Sequence, residues 1–151
     1  MMLVSNWDSK DQRDANRGSN TMILKNSGAN EDWYVVDDWG GSMGKWGGVR
    51  SREKWDCDGY AKQTADFIKK VEEDGEVEFG YSGQQTDSIK DDIKVTDVQW
   101  VMTYLGRLTD SQIRAGLKAS GATDAEVNCF TPAIRQRLTM LQTSSRPVAK
   151  N

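Results

Sequence analysis

The stretch that decides the fold runs from Thr21 to Gly41 and has the sequence TMILKNSGANEDWYVVDDWGG. Its two apolar runs, Thr21 to Leu24 and Trp33 to Val36, are rich in β-branched and aromatic residues. The residues between them are dominated by Asn, Gly and Asp, which favour turns. Two such runs around a turn cluster predict a β-hairpin, although the length of the connection leaves its register open.

Composition limits the chemistry that this chain can carry. Its 151 residues are 36% hydrophobic and 28% charged with a net charge of -3, the profile of one soluble globular domain. The sequence has no histidine, which excludes Ser-His-Asp triads, Cys-His pairs and HExxH zinc sites. The net negative charge disfavours nucleic acid as a partner, because phosphate binding needs a basic face. Acid–base chemistry must therefore use carboxylates, lysines or tyrosines.

After the hairpin, the spacing of apolar residues changes twice along the sequence. Apolar residues at helical spacing between Lys62 and Glu73 predict a helix that ends at Gly75. The alternation of apolar residues from Val77 to Tyr81 predicts one short strand. This half of the chain is therefore expected to combine a helix with a strand.

From residue 96 onward the sequence is predicted to be helical. Three Thr-x-x-Glu/Gln capping boxes and one Thr-Pro step indicate four helix starts: Thr96 with Gln99, Thr109 with Gln112, Thr123 with Glu126, and Thr131-Pro132. Gly106 and Gly121 are predicted to terminate helices. We therefore expect an α+β domain over residues 1–142, with a mainly helical second half, and a flexible tail over residues 143–151.

Polar residues at the ends of the predicted hairpin form the candidate site. Asp8 and Lys10 lie in an early loop, Asn20 directly precedes the first strand, and Asp38 follows the second. Because a hairpin sets its two ends side by side, Asn20 and Asp38 could converge on one ion. Mg²⁺ prefers hard oxygen ligands and keeps several waters, so one amide and one carboxylate suffice beside nucleotide phosphates. This order of residues predicts a phosphate-transfer site.

Five segments together resemble a known group of proteins: Asn6 to Asp11 (NWDSKD), Arg17 to Thr21 (RGSNT), Asp37 to Gly44 (DDWGGSMG), Trp55 to Cys57 (WDC) and Val77 to Tyr81 (VEFGY). They are similar to an uncharacterised bacterial family related to the C-terminal lobe of atypical kinases, the broad group that contains phosphoinositide kinases and secretory-pathway kinases. The resemblance runs from Leu3 to about Leu141.

The resemblance implies a role for each candidate residue. Asp8 takes the catalytic-loop position and accepts the acceptor's proton, and Lys10 offers positive charge to the transferring phosphoryl group. Asn20 and Asp38 bind Mg²⁺ and, through it, ATP; Asn16 is an alternative to Asn20. The implied function is that of a kinase-like C-terminal lobe, inactive without a nucleotide-binding N-terminal lobe. The acceptor substrate is not indicated by the sequence.

Several alternatives remain beside this hypothesis. The chain could instead be a non-catalytic interaction module, or a degenerate kinase remnant, that acts through a protein partner or as a homodimer. Gly40 to Lys45 lacks the spacing of a Walker loop, and the tryptophans are explained most simply by core packing. Cys57 and Cys129 are expected to be small buried hydrophobic residues. No apolar stretch is long enough to span a membrane, and no signal peptide is visible, so a cytoplasmic location is predicted.

Overall fold

The protein is described here by a computed structural model that covers residues 2–6, 21–46, 54–82 and 90–146. Within these residues the fold is α+β, with two small antiparallel sheets and four α-helices, which confirms the α+β class that the sequence predicts. The chain divides into two compact units. The hairpin unit comprises residues 1–56 and 81–91, and the helical unit comprises residues 57–80 and 92–151. In the part of the chain that is described, every helix is too short or too polar to cross a membrane.

The hairpin unit contains the predicted hairpin. Strand β1 is Thr21–Asn26 and strand β2 is Glu31–Val36, and they pair antiparallel from Thr21 opposite Val36 to Asn26 opposite Glu31. Both strands run further toward the turn than the apolar runs alone indicate, which leaves only residues 27–30 as the connection. Asn30 adopts a left-handed conformation (φ 52°), which asparagine tolerates better than most residues. A short 3₁₀ turn, Met2–Val4, precedes the hairpin.

The helical unit contains the second sheet and the helices. Its elements in chain order are helix α1 (Cys57–Lys62), a 3₁₀ turn (Gln63–Asp66), strands β3 (Ile68–Val71) and β4 (Val77–Phe79), and helices α2 (Val95–Leu105), α3 (Asp110–Ala119) and α4 (Asp124–Ser144). The long helix α4 packs against α1, α2 and α3 and also contacts β3. It is therefore the element around which this unit is organised.

The helix predicted between Lys62 and Glu73 is wrong. The α-helix ends at Lys62, and Ile68–Val71 forms β3, which pairs antiparallel with β4. Gly75, expected to end a helix, lies instead in the turn of this hairpin with φ +85°, and its N–H donates to the Glu72 carbonyl at 3.0 Å. The helical spacing of a short apolar run is a weak signal, and here pairing with the strand at Val77 overrides it.

Two of the predicted helix starts are confirmed. Thr109 and Thr123 cap α3 and α4, and each accepts the backbone N–H three residues on, from Gln112 and Glu126 respectively. The glutamine and glutamate side chains return the bond to the threonine N–H groups, at 2.9 and 2.7 Å. Each pair therefore satisfies two N–H groups that have no partner within the helix. Gly106 and Gly121 follow α2 and α3, as predicted.

The other two starts are wrong. Helix α2 begins at Val95, one residue before Thr96, and the Lys94 N–H donates to Asp97 Oδ2 at 2.8 Å. Thr131-Pro132 lies inside α4, where the Thr131 hydroxyl donates to the Val127 carbonyl at 2.6 Å. Proline removes only one helical hydrogen bond, and the buried face of α4 continues on both sides of it. Helix α4 also extends through Ser144, past the predicted start of the tail, and residues 147–151 lie outside the described residues.

The core of the helical unit surrounds a buried arginine. Arg137 on α4 is 0% exposed, and its guanidinium donates to Thr64 Oγ1 at 3.0 Å and to the Tyr60 carbonyl at 2.9 Å. The guanidinium carbon lies 3.6 Å from the centre of the Tyr60 ring, within the range of a cation–π interaction. Edge-to-face ring pairs extend this cluster from Tyr60 to Phe130 and from Phe67 to Phe79. Charge, rings and hydrogen bonds thus fix α1 against α4.

The expectation that the two cysteines are small buried hydrophobic residues is also wrong. Cys57 and Cys129 form a disulfide with a Cα–Cα distance of 6.2 Å, and both are partly exposed. The bond joins the first residue of α1 to the second turn of α4 across 72 positions of sequence. Two cysteines at such a separation carry no spacing signature, so no local pattern predicts that they pair.

Candidate functional site

Asp38 lies at the base of the β1–β2 hairpin. The register places Thr21, the first residue of β1, opposite Val36, the last residue of β2. Asn20 precedes Thr21 in the sequence, and Asp38 follows Val36 by two residues. The hairpin therefore brings the chain segments that lead to the two predicted metal ligands to the same end of the ribbon.

A tight turn holds the Asp38 carboxylate. Its Oδ1 accepts the Gly40 N–H at 2.7 Å, an arrangement typical of aspartate two residues before the donor. A Cβ at Gly40 would approach Oδ1 to 2.9 Å, so glycine allows the carboxylate to fold over the backbone. Asp38 is exposed, and within the described residues no hydrogen bond reaches its Oδ2. One carboxylate oxygen is thus fixed, and the other is presented to a ligand.

Two hydrogen bonds, made by Asn6 and Tyr81, hold the Asp38 backbone in place. The Asn6 amide group donates from Nδ2 to the Asp38 carbonyl at 2.9 Å, and the Tyr81 hydroxyl donates to the Asn6 carbonyl. Asn6 and Tyr81 are both 0% exposed, and the Tyr81 ring packs against Trp46 with centroids 5.8 Å apart. The Asp38 segment is therefore anchored by two successive hydrogen bonds, of which the Tyr81–Asn6 bond is buried and the Asn6–Asp38 bond is partly buried.

The interior beside Asp38 contains polar atoms without partners. Among the residues that the structure describes, three buried side-chain oxygens make no hydrogen bond: Asn6 Oδ1, Thr21 Oγ1 and Ser42 Oγ. Each belongs to a residue bonded or paired to the segment from Val36 to Asp38, or to the turn that follows it. Since buried polar groups are nearly always satisfied, such atoms indicate a ligand, an ion or a water.

The other predicted site residues cannot be compared with this geometry. Asp8, Lys10, Asn16 and Asn20 lie outside the described residues, so the predicted convergence of Asn20 with Asp38 stays a prediction. Across the described ranges, His, Cys, Asp and Glu side chains form no group of three or more that could hold a metal ion. Among the described residues, the further oxygens available near Asp38 in the chain are amide and hydroxyl oxygens, a type that Mg²⁺ accepts.

The tryptophans are divided between core and surface. Trp46 is 6% exposed, as core packing predicts, but Trp33 and Trp39 are 55% and 49% exposed, and Tyr34 is exposed beside them. Trp39 is held in place because its Nε1 donates to the Val36 carbonyl at 3.2 Å. The expectation that the tryptophans mainly fill the core is thus wrong for those on the hairpin and at its base.

Sequence reasoning identified Asp38 but not the residues that hold it. In the sequence, Asn6 belongs only to the segment that contains Asp8, and Tyr81 only to the end of a predicted strand. Asn6 and Tyr81 are 75 positions apart, and no local pattern links them. Only a fold could have placed them together.

Comparison of the chain with family models, with curated proteins and with solved structures finds no match. The residues of the site must therefore carry the functional argument by themselves.

Proposed function

We propose that this chain is a kinase-like C-terminal lobe that binds a magnesium–nucleotide complex for phosphoryl transfer. The observation that supports it best is the hairpin register, which places the start of β1 beside the end of β2. The segment after Asn20 and the segment before Asp38 thereby run side by side, as the proposal requires. The half-free carboxylate of Asp38 is the type of oxygen that Mg²⁺ prefers.

The chemistry assigned to the site needs no histidine, in keeping with the composition. Bound Mg²⁺ would neutralise charge on the nucleotide phosphates while Asp38, with an amide oxygen, orients it. Asp8 would accept the proton of the attacking hydroxyl, and Lys10 would offset negative charge on the transferring group. The fixed position of Asp38, set by Asn6 and Gly40, reduces the reorganisation that binding requires.

Calorimetric titration with Mg²⁺ and ATP or ADP tests this proposal. We expect Asp38→Asn to weaken binding at least about tenfold, because the amide keeps the acceptor for the Gly40 N–H but loses the charge. Asp37→Asn is the matched control, since it removes the same charge from an adjacent exposed aspartate. Equal affinity of wild type and Asp38→Asn, or no binding by either, would contradict a nucleotide site here.

A second candidate function is a non-catalytic module that forms a homodimer through the hairpin. The exposed side chains Ile23 and Tyr34 are paired on one face of the ribbon, and Leu24 and Trp33 on the other. A two-stranded ribbon is marginal alone, and unpaired strand edges template pairing with another chain. Light scattering decides between the candidates: a concentration-dependent dimer that Trp33→Ser dissociates favours the module.

The proposed location also needs a test. A cytoplasmic location was predicted, but a disulfide such as Cys57–Cys129 is typical of oxidising compartments. We propose that the bond forms in the native environment of the protein. Alkylation of free thiols at the moment of cell lysis, followed by mass spectrometry, measures this: labelled Cys57 and Cys129 would favour the cytoplasm.

A further inference from the structure

The orientation of the Asn6 side chain is fixed by its partner. A carbonyl oxygen can only accept a hydrogen bond, so the nitrogen of the Asn6 amide must face the Asp38 carbonyl, at 2.9 Å. The other end of the same planar group, Oδ1, is then the atom that points away from that carbonyl. Asn6 is 0% exposed, and Oδ1 has no partner among the residues that the structure describes.

Only certain ligands can satisfy this atom. An amide oxygen accepts and never donates, so its partner must be a hydrogen-bond donor or a cation. Thr21 Oγ1 is a second buried oxygen without a described partner, and Thr21 pairs with Val36 just before the Asp38 segment. Asn6 is bonded to the Asp38 backbone and Thr21 pairs with Val36, and oxygens of these types, with the half-free carboxylate, suit a hard cation rather than an apolar group.

We propose that Asn6 supplies, through Oδ1, the amide ligand of the cation that Asp38 binds, a role the sequence pattern assigns to Asn20. This inference rests on the proposed function and changes its ligand set. The bond from Nδ2 to the Asp38 carbonyl joins the two residues directly, so it ties the Asn6 amide to the main chain that carries the carboxylate. The Tyr81 hydroxyl, bonded to the Asn6 carbonyl, fixes this unit from the interior.

Terbium luminescence tests the cation site without any nucleotide. Tb³⁺ prefers oxygen ligands as Mg²⁺ does, and Trp39, adjacent to Asp38, can sensitise its emission. On the full chain, with Mg²⁺ as competitor, we expect Asn6→Ala to weaken binding on the order of tenfold or more. Asn6→Asp should bind clearly more tightly than Asn6→Ala, because a carboxylate oxygen replaces the amide oxygen even though the Nδ2 donor is lost. Asn20→Ala should bind as wild type does.

Comparison of Tb³⁺ binding by Asn6→Asp and Asn6→Ala shows whether Asn6 is a ligand of the cation or only supports the fold. Asn6→Asp loses the Nδ2 donor, so a purely structural Asn6 would make both variants bind equally poorly, which would overturn the inference. Loss of binding in Asn20→Ala with normal binding in Asn6→Ala would overturn it too. If Asn6→Ala does not fold, Asn6→Asp and Asn20→Ala still decide.

The same measurements distinguish failure of the proposed function from failure of the inference about Asn6. If Asp38→Asn leaves Tb³⁺ binding unchanged, neither the proposed function nor the inference survives. If Asp38→Asn weakens Tb³⁺ binding and the Asn6 variants do not, only the inference is overturned. If the cation binds with the expected Asn6 pattern but calorimetry finds no nucleotide, the inference stands and the proposed function does not.

Discussion

The helical unit and the hairpin unit are held together in different ways. The helical unit has a disulfide, a buried arginine bonded to two elements, and reciprocal caps at two helix starts. The hairpin unit has a two-stranded ribbon with aromatic side chains on its surface, and its buried interior includes the three oxygens without described partners. Among the described residues, the buried side-chain oxygens without a hydrogen-bond partner thus all belong to the hairpin unit.

This difference indicates where function lies. Proteins break rules of burial and polar satisfaction mainly at functional sites, and they compensate with stability elsewhere. Elements that bind ligands are also drawn from the less stable parts of a fold. The described residues of the candidate site, Asp38 and Asn6, both belong to the unit where those rules are broken. The helical unit is therefore expected to supply stability, and the following experiments test that division.

Removal of the disulfide should have the largest effect on stability. Cross-linking residues separated by 72 positions restricts the unfolded chain enough to stabilise the fold by about 4 kcal/mol in the loop-entropy model. We expect a variant with both Cys57 and Cys129 replaced by serine to lose close to that free energy of unfolding. Urea denaturation followed by far-ultraviolet circular dichroism measures it.

The reductant response provides the control for this experiment. A dithiol reductant should lower the stability of the wild type toward that of the double variant and leave the variant unchanged. A loss of unfolding free energy below about 1 kcal/mol would show that α1 and α4 pack together without the disulfide. The disulfide would then no longer distinguish the stability of the helical unit from that of the hairpin unit.

Replacing the buried arginine should have the next largest effect. Arg137→Lys keeps the charge but cannot bond Thr64 and the Tyr60 carbonyl together in the fixed fork of a guanidinium. Losing two hydrogen bonds from a buried charged group costs about 3 kcal/mol of unfolding free energy, measured as above. Arg135→Lys, on the same helix but partly exposed, is the control and should change stability by less than about 1 kcal/mol.

The sequence predicted best what local chemistry decides. The hairpin follows from two apolar runs around a turn cluster, and the caps at Thr109 and Thr123 follow from a hydroxyl with an amide or carboxylate oxygen three residues later. The α+β class follows from both. Each of these features depends on residues close in sequence, so a single chain reveals them.

The features that the sequence did not reveal depend on distant partners. The Lys62 to Glu73 segment is a strand only because β4 is present to pair with it. The disulfide, the arginine cluster and the Asn6–Asp38 bond join residues at least 32 positions apart. Asp38 could be chosen from its place after β2, but what supports it could not, because no periodicity records a contact between such distant segments.

A methyl group at Gly40 should perturb the hairpin unit locally. The added Cβ would lie 2.9 Å from Asp38 Oδ1 and would displace the carboxylate from its turn. We expect Gly40→Ala to weaken Tb³⁺ and Mg²⁺–nucleotide binding about tenfold, equivalent to about 1.4 kcal/mol, with little change in global stability. Gly28→Ala, whose Cβ would meet its nearest atom at 3.6 Å, is the matched control. Unchanged binding in Gly40→Ala would show that the turn around the Asp38 carboxylate does not contribute to cation or nucleotide binding.

Helix capping should contribute less. Thr123→Ala removes the hydroxyl that accepts the Glu126 N–H and should destabilise the helical unit by about 1 kcal/mol. Thr96→Ala is a matched control, because Thr96 has the same sequence signature but lies inside the first turn of α2. Equal losses in the two variants, measured by urea denaturation, would contradict the assignment of Lys94 as the residue that precedes α2.

The smallest effect concerns one surface ion pair of the helical unit. The Lys118 ammonium on α3 bonds to the Asp124 carboxylate at the start of α4, and this hydrogen bond lowers the pKa of Asp124 below 3.8. Since the pKa is lower in the folded state, the contribution of this pair is present above the ordinary pKa of an aspartate and is lost as the pH falls through the folded pKa. We expect Lys118→Met to raise the pKa of Asp124, followed by carboxyl carbon resonances during an acid titration.

Asp74 is the internal control for that titration. Its pKa is also lowered, by a hydrogen bond from Lys94, so it should not respond to a change at Lys118. A shift of both carboxyls would indicate a general change of the helical unit rather than loss of one pair. An unchanged pKa of Asp124 would mean that the helix N-terminus alone stabilises its charge, because the partial positive charge there acts in the same direction as lysine. The packing of α3 against α4 would then be stabilised by the Thr123 cap and by buried apolar side chains rather than by the Lys118–Asp124 pair. Caps of this kind are described in the helical unit and not in the described residues of the hairpin unit.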